Sequence, residues 1–106
     1  MSDVRVLHLE GRLDGANSSA LEAEAFGIID SGVRRLLINL EDLDYVSSAG
    51  LRAFLAIAKH IVAAGGRLAV CSLKPNVAEL FDVSGIDGII DIHGSAASAT
   101  WELLAD

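Results

Sequence analysis

The chain has 106 residues and a formal net charge of −7, from 8 basic and 15 acidic residues. That length suits one compact domain over residues 1–106, and that surface repels nucleic-acid phosphates and anionic membranes, so neither is expected as a partner. At 52% hydrophobic residues the chain can build a dense core, yet no uncharged stretch is long enough to span a bilayer as a helix and no signal-peptide pattern opens it, which makes a cytoplasmic protein the expectation.

Val4-Arg5-Val6-Leu7-His8-Leu9-Glu10 reads as a first strand, rich in β-branched and aliphatic residues. Gly11-Arg12-Leu13-Asp14-Gly15 follows as a loop. Asn17 or Ser18 can cap a helix whose apolar face is Leu21, Ala25, Ile28 and Ile29, closed by Asp30-Ser31-Gly32. Val33–Leu40 is the second strand. Its near-continuous apolar run points to a strand covered on both faces, as in parallel sheets.

Glu41-Asp42-Leu43-Asp44-Tyr45-Val46 reads as an acidic turn, leading to Ser47 and Ser48 at the start of a long helix that reaches about Ala64. Leu51, Phe54, Leu55, Ala58, Ile61 and Val62 form its expected apolar stripe, with Arg52, Lys59 and His60 off it. Gly65-Gly66 stops it. Arg67–Ser72 is the third strand, containing Cys71. Pro75 is well placed at the start of a short helix, Val77–Val83. A short strand near Ile89–Ile92 and a last helix, Ala96–Leu104, complete the chain, with Trp101, Leu103 and Leu104 expected to pack inward. The order β-α-β-α-β-α-β-α implies a mostly parallel sheet of about four strands with right-handed crossovers.

Most chemistry is excluded by pattern. Neither glycine-rich spot forms a phosphate loop after a strand. His8, His60 and His93 show no metal-ligand spacing. Ser47 and Ser48 have no sequence-local histidine, and Ser-Ser-Ala-Gly is not a nucleophile elbow. As the lone cysteine, Cys71 reads as a small buried hydrophobe. Catalytic residues, cofactors and metals are therefore not expected. Glu41, Asp42 and Asp44 suit a helix-dipole complement first, then a Mg²⁺ site or a surface for a basic protein partner. The two serines suit helix caps, because the free N–H groups of a helix start favour a hydroxyl and also an anion.

Leu40-Glu41-Asp42-Leu43-Asp44-Tyr45-Val46-Ser47-Ser48-Ala49-Gly50-Leu51 resembles the signature of the STAS domain, and most of all that of the bacterial anti-sigma-factor antagonists. Glu10-Gly11-Arg12-Leu13-Asp14 and Leu80-Phe81-Asp82-Val83-Ser84-Gly85-Ile86 resemble two further motifs of that family, in the same order. The resemblance implies a partner switch. An anti-sigma factor with serine kinase activity binds the unmodified domain, phosphorylation at Ser48 releases it, and a separate serine phosphatase resets the pair. Ser48 takes the phosphoacceptor place, with Ser47 as the adjacent rival. Asp14, Asp44, Tyr45, Ser47, Ser48, Ala49, Gly50 and Arg52 become the expected partner-binding residues.

Two departures stand out. Ser47 replaces the usual aspartate, and the N-terminal strand common in the family is shortened or absent, which exposes a sheet edge to self-association. The rival reading is a STAS scaffold, without phosphorylation, in a multi-protein or transporter assembly.

Overall fold

The computed structural model describes residues 3–105, apart from the side chain of Asp87. The elements are β1 (Arg5–Leu13), α1 (Ser18–Asp30), β2 (Arg35–Val46), α2 (Ser48–Ala63), β3 (Arg67–Cys71), α3 (Pro75–Ser84), a single 3₁₀ turn (Ile86–Gly88), β4 (Asp91–His93) and α4 (Ala96–Leu104). The four strands pair in the order β1-β2-β3-β4, all parallel. This is the expected α/β architecture with four helices. Among the described residues no strand precedes β1, which therefore forms an edge.

Side-chain alternation along β2 sets up two layers. Leu36, Ile38 and Leu40 face the larger core, which takes in Leu21, Ala25 and Ile29 of α1, Phe54, Ile57, Ala58 and Ile61 of α2, and Val77 and Phe81 of α3. Phe54 and Phe81 meet edge to face at 5.3 Å. Leu37 faces the opposite side, with Ala69 and Cys71 of β3 beneath Ala99 and Leu103 of α4. Cys71 is free and buried, as its apolar neighbours suggest, and burial raises its pKa; the thiol stays protonated at neutral pH.

β2 is longer than its apolar run. It continues through Val46, so the acidic segment is strand and not a turn. The reason is two irregularities against β1, between His8 and Glu10 and between Gly11 and Arg12. At the first, Leu40 and Glu41 of β2 lie opposite Leu9 alone; at the second, Asp44 is inserted between the partners of Gly11 and Arg12. The burial period then becomes three, with Leu40, Leu43 and Val46 inside and the acids between them outside. β1 likewise runs on to Leu13, carried past Glu10 by Gly11 at φ 77°.

The inward face of α2 is rotated from the expected stripe. Gly50, Ala53, Phe54, Ile57, Ala58 and Ile61 are buried, Leu51 and Leu55 are half-buried, and Val62 is exposed. Of the three residues expected to pack from α4, only Leu103 does; Trp101 is 76% exposed, and Leu104 also points outward. α3 begins two residues earlier than expected, with Pro75 in its first turn. β4 is a three-residue strand preceded by the 3₁₀ turn. Asn17 precedes α1, yet its side chain makes no cap bond. His60, off the apolar stripe as expected, stacks on Phe26 at 4.1 Å and pairs with Asp30 at 2.8 Å, tying α2 to α1.

Candidate functional site

The junction between β2 and α2 is built from three pieces of chain. The first is the helix start. Ser47 is the N-cap residue, with extended backbone, and its Oγ accepts a hydrogen bond from Gly50 N–H at 3.2 Å. Its own N–H donates to the Leu13 carbonyl at 2.9 Å, which ties the helix start to the end of β1. Ser48, the first helical residue, is exposed and makes no side-chain hydrogen bond among the described residues. The adjacent hydroxyls thus have different situations, one engaged in the cap and one facing solvent.

The second piece is the end of β1 and the turn after it. Leu13 and Arg12 pair with Val46 and Tyr45, and the Arg12 guanidinium lies 4.3 Å from the centroid of the Tyr45 ring. Asp14 holds the turn that follows. Its carboxylate accepts from Ala16 N–H at 2.9 Å, and its own N–H donates to Asn17 Oδ1 at 2.9 Å. Asn17 Nδ2 donates to the Arg12 carbonyl at 2.7 Å, so the side chain that does not cap α1 braces this turn instead.

The third piece is the start of α3. Lys74 pairs with the Asp44 carboxylate, and Asn76 Nδ2 donates to the Asp44 carbonyl at 2.8 Å. A groove of about 340 Å³ runs between this turn and the helix start, lined by Tyr45, Val46, Ser47, Ser48, Asn76, Val77 and Leu80. A smaller one, of about 150 Å³, lies further along α2, between Leu51, Arg52 and Leu55 and the residues Ser84, Gly85, Ile86 and Ile89.

Of the expected partner-binding residues, Asp44, Tyr45, Ser48 and Arg52 are exposed, while Asp14, Ser47 and Ala49 are half-buried around them. Gly50 is the exception. It is buried, and a Cβ built on it would lie 2.9 Å from the Leu13 carbonyl oxygen and 2.9 Å from Val46 Cγ1. Its lack of a side chain serves the contact with β1, and Gly50 itself has little exposed surface.

The acidic cluster does not act as one unit. Asp44 belongs to Lys74, and α2 has no acid in its first turn, which sets aside the dipole-complement reading. Glu41 and Asp42 stand instead with His8 across the strands, where His8 Nε2 is 2.7 Å from Asp42 Oδ2 and one ligand atom from each of the three residues falls within 4.8 Å of the others. Spacing along the chain hid this group, because the strand irregularity turns Glu41 and Asp42 outward together. Arg12, Lys74 and Asn76 were also missed as site residues. The only sequence signals for the last two are that they flank Pro75 at a helix start.

The model of the STAS domain matches residues 1–99. This chain belongs to the STAS domain family. BtrV of Bordetella bronchiseptica, a proposed anti-sigma factor antagonist, is 43% identical over 91 residues, covering 86% of this chain and 78% of its own. The anti-sigma-B factor antagonist of Bacillus subtilis is 31% identical over 95 residues, covering 90% of this chain and 85% of its own. The crystal structure of a proposed anti-sigma factor antagonist from Thermotoga maritima has a TM-score of 0.92 at 23% identity, covering 99% of this chain and 91% of that one, which shows the same fold. No helix among the described residues of this STAS domain is long and apolar enough to cross a membrane.

Capping makes Ser47 the structural serine of the pair. Ser47→Ala is expected to lower stability by about 0.5–2 kcal/mol, the usual loss for a removed N-cap, and to leave Ser48 open to modification. Urea denaturation of the purified variant measures the first, and kinase labelling measures the second.

Proposed function

We propose that this STAS domain is an anti-sigma factor antagonist that works as a partner switch, with Ser48 as its phosphoacceptor. The observation that carries the reading is the division of labour between the two serines: Ser47 Oγ is held by Gly50 N–H, while Ser48 is exposed on the groove shared with α3. The names of the relatives supply the partner class, an anti-sigma factor. The unmodified domain binds it through the exposed residues Asp44, Tyr45, Ser48 and Arg52 and so frees a sigma factor for transcription. The domain binds and is modified; kinase and phosphatase chemistry belong to other proteins.

Phosphorylation adds about −1.5 to −2 charges at pH 7. The first turn of α2 accommodates them, because its free N–H groups and dipole favour an anion there. A partner surface shaped for a neutral hydroxyl does not, since it must desolvate the phosphate without compensating it. Asp44 adds less repulsion than its position in the sequence suggests, because Lys74 is already paired with it, and Glu41 stands apart with His8.

Labelling with the cognate kinase and ATP tests the assignment. Label is expected in wild type and in Ser47→Ala, and none in Ser48→Ala. The reverse pattern would move the acceptor to Ser47. Absence of label from wild type would turn the reading to the scaffold without phosphorylation.

A further inference from the structure

The acceptor lies one helical turn from a cation that nothing among the described residues engages by a hydrogen bond or ion pair. Ser48 and Arg52 are both in α2, four residues apart and both exposed. Residues at that spacing share a helix face, with Cβ atoms about 5–6 Å apart. Long helical side chains lean back toward the helix N-terminus, which puts the turn that carries Ser48 within reach of Arg52. Other cations around the site are already committed: Arg12 to the Tyr45 ring, Lys74 to Asp44. Arg52 makes no hydrogen bond or ion pair among the described residues, and it borders the apolar groove formed by Leu51, Leu55, Ile86 and Ile89.

We propose that Arg52 is the built-in counter-ion of phosphorylated Ser48. The inference rests on the reading of Ser48 as the acceptor. An anion N-terminal to a cation at this spacing is the favourable orientation, and a guanidinium matches phosphate oxygens with two parallel N–H donors. The pairing gives phosphorylation a second consequence. In the unmodified domain the guanidinium is open to an acidic group of the partner at the mouth of the Leu51–Ile89 groove. In the phosphorylated domain it is drawn to the chain's own phosphate, so the partner loses a cation and meets an anion in the same step. Arg52 is a positioning residue here, acting on the state of Ser48.

The test uses full-length protein carrying phosphoserine installed at position 48 during translation, so that neither kinase nor partner is needed. Phosphorus NMR follows the second ionisation of the phosphate against pH. A neighbouring guanidinium favours the dianion and lowers that pKa. Arg52→Gln is expected to raise it by about 0.3 of a pH unit or more, Arg52→Lys to recover part of the difference, and 1 M NaCl to reduce it. Lys59→Gln removes the same formal charge from the same helix, eleven residues from the acceptor, and is expected to leave the titration unchanged.

Equal titration of wild type and Arg52→Gln overturns the pairing. So does a shift in Lys74→Met with none in Arg52→Gln, which would give the phosphate to Lys74. Failure of the cognate kinase to label Ser48 would sink the acceptor reading while leaving this measurement intact, so the two failures are distinguishable.

Discussion

Ser48→Asp is expected to lose binding to the anti-sigma partner by about 100-fold or more while its melting temperature stays at or slightly above that of wild type. The two halves of this expectation come from the same place in the fold. Ser48 is the first residue of α2, and the first turn of that helix carries no acid. A carboxylate there faces the positive end of the helix dipole, which contributes about 0.3–1 kcal/mol at an exposed site. The side chain is exposed and has no hydrogen bond to lose, and Ser47 keeps the cap. Folding therefore has no reason to suffer. Binding does, because a carboxylate pressed against a surface made for a hydroxyl is desolvated without a partner, and such charges cost about 2–5 kcal/mol. Ser48→Ala is expected to bind at wild-type strength and to remain bound in the presence of ATP. Calorimetric titration against the partner, with thermal melts of the same samples, gives both numbers. Binding by Ser48→Asp within about threefold of wild type would remove Ser48 from the centre of the interface.

How far the fold can be read from the chain depends on which signal each element carries. The alternation of strands and helices, the buried run Leu36–Leu40 and the stop at Gly65-Gly66 are local patterns, and the parallel sheet follows from them. Gly66 also has a role that no local pattern reveals. A Cβ there would lie 2.4 Å from the Arg34 carbonyl oxygen, so β3 can enter the sheet beside β2 only with glycine at that point. The acidic segment was illegible for a related reason. Apolar residues every third position, at Leu40, Leu43 and Val46, match neither the period of a strand nor that of a helix. Only pairing with β1 shows that two irregularities in one strand produce that period.

Faces proved harder to read than elements. The stripe on α2 mixed Val62, which is exposed, with true core positions and passed over Ala53 and Ile57. Small alanines carry little hydrophobic signal, and the choice between Ile57 and Val62 depends on where the sheet lies. On α4, Trp101 and Leu104 are as apolar as Leu103, but a nine-residue helix resting on one layer buries a single narrow stripe, and Leu103 and Ala99 occupy it. Within the site, Ser47 as the cap could be read from its place before a helix. The Asp44–Lys74 pair and the Arg12–Tyr45 contact could not, because they join segments that only the fold brings together.

Gly50→Leu is expected to abolish the folded state at ordinary temperature, and Gly50→Ala to lower stability by about 1–3 kcal/mol, the usual range for overpacking a close contact. A glycine in the first turn of a helix serves close approach, either of a partner or of neighbouring backbone, and the expected place of Gly50 among the partner-binding residues predicts that Gly50→Leu harms binding more than folding. The geometry reverses that order. The nearest atom to an added Cβ is a backbone oxygen, Leu13 O at 2.9 Å, with Val46 Cγ1 equally close and Leu13 Cδ2 at 3.1 Å. That oxygen also accepts the Ser47 N–H, so moving it away strains the bond that anchors the helix start. Replacing glycine by alanine within a helix otherwise gains about 0.5–1 kcal/mol, so the clash must exceed this gain before any loss appears. Gly27 provides the comparison. It lies inside α1, and a Cβ there would meet nothing within 4 Å. Gly27→Ala is therefore expected to stabilise the domain by about that same amount. Urea denaturation followed by circular dichroism separates the two alanine variants, with midpoints moving in opposite directions from wild type. Two alanine variants of equal stability would mean that the β1–α2 contact is looser than described. A Gly50→Leu protein that folds normally yet fails to bind would return Gly50 to the partner surface.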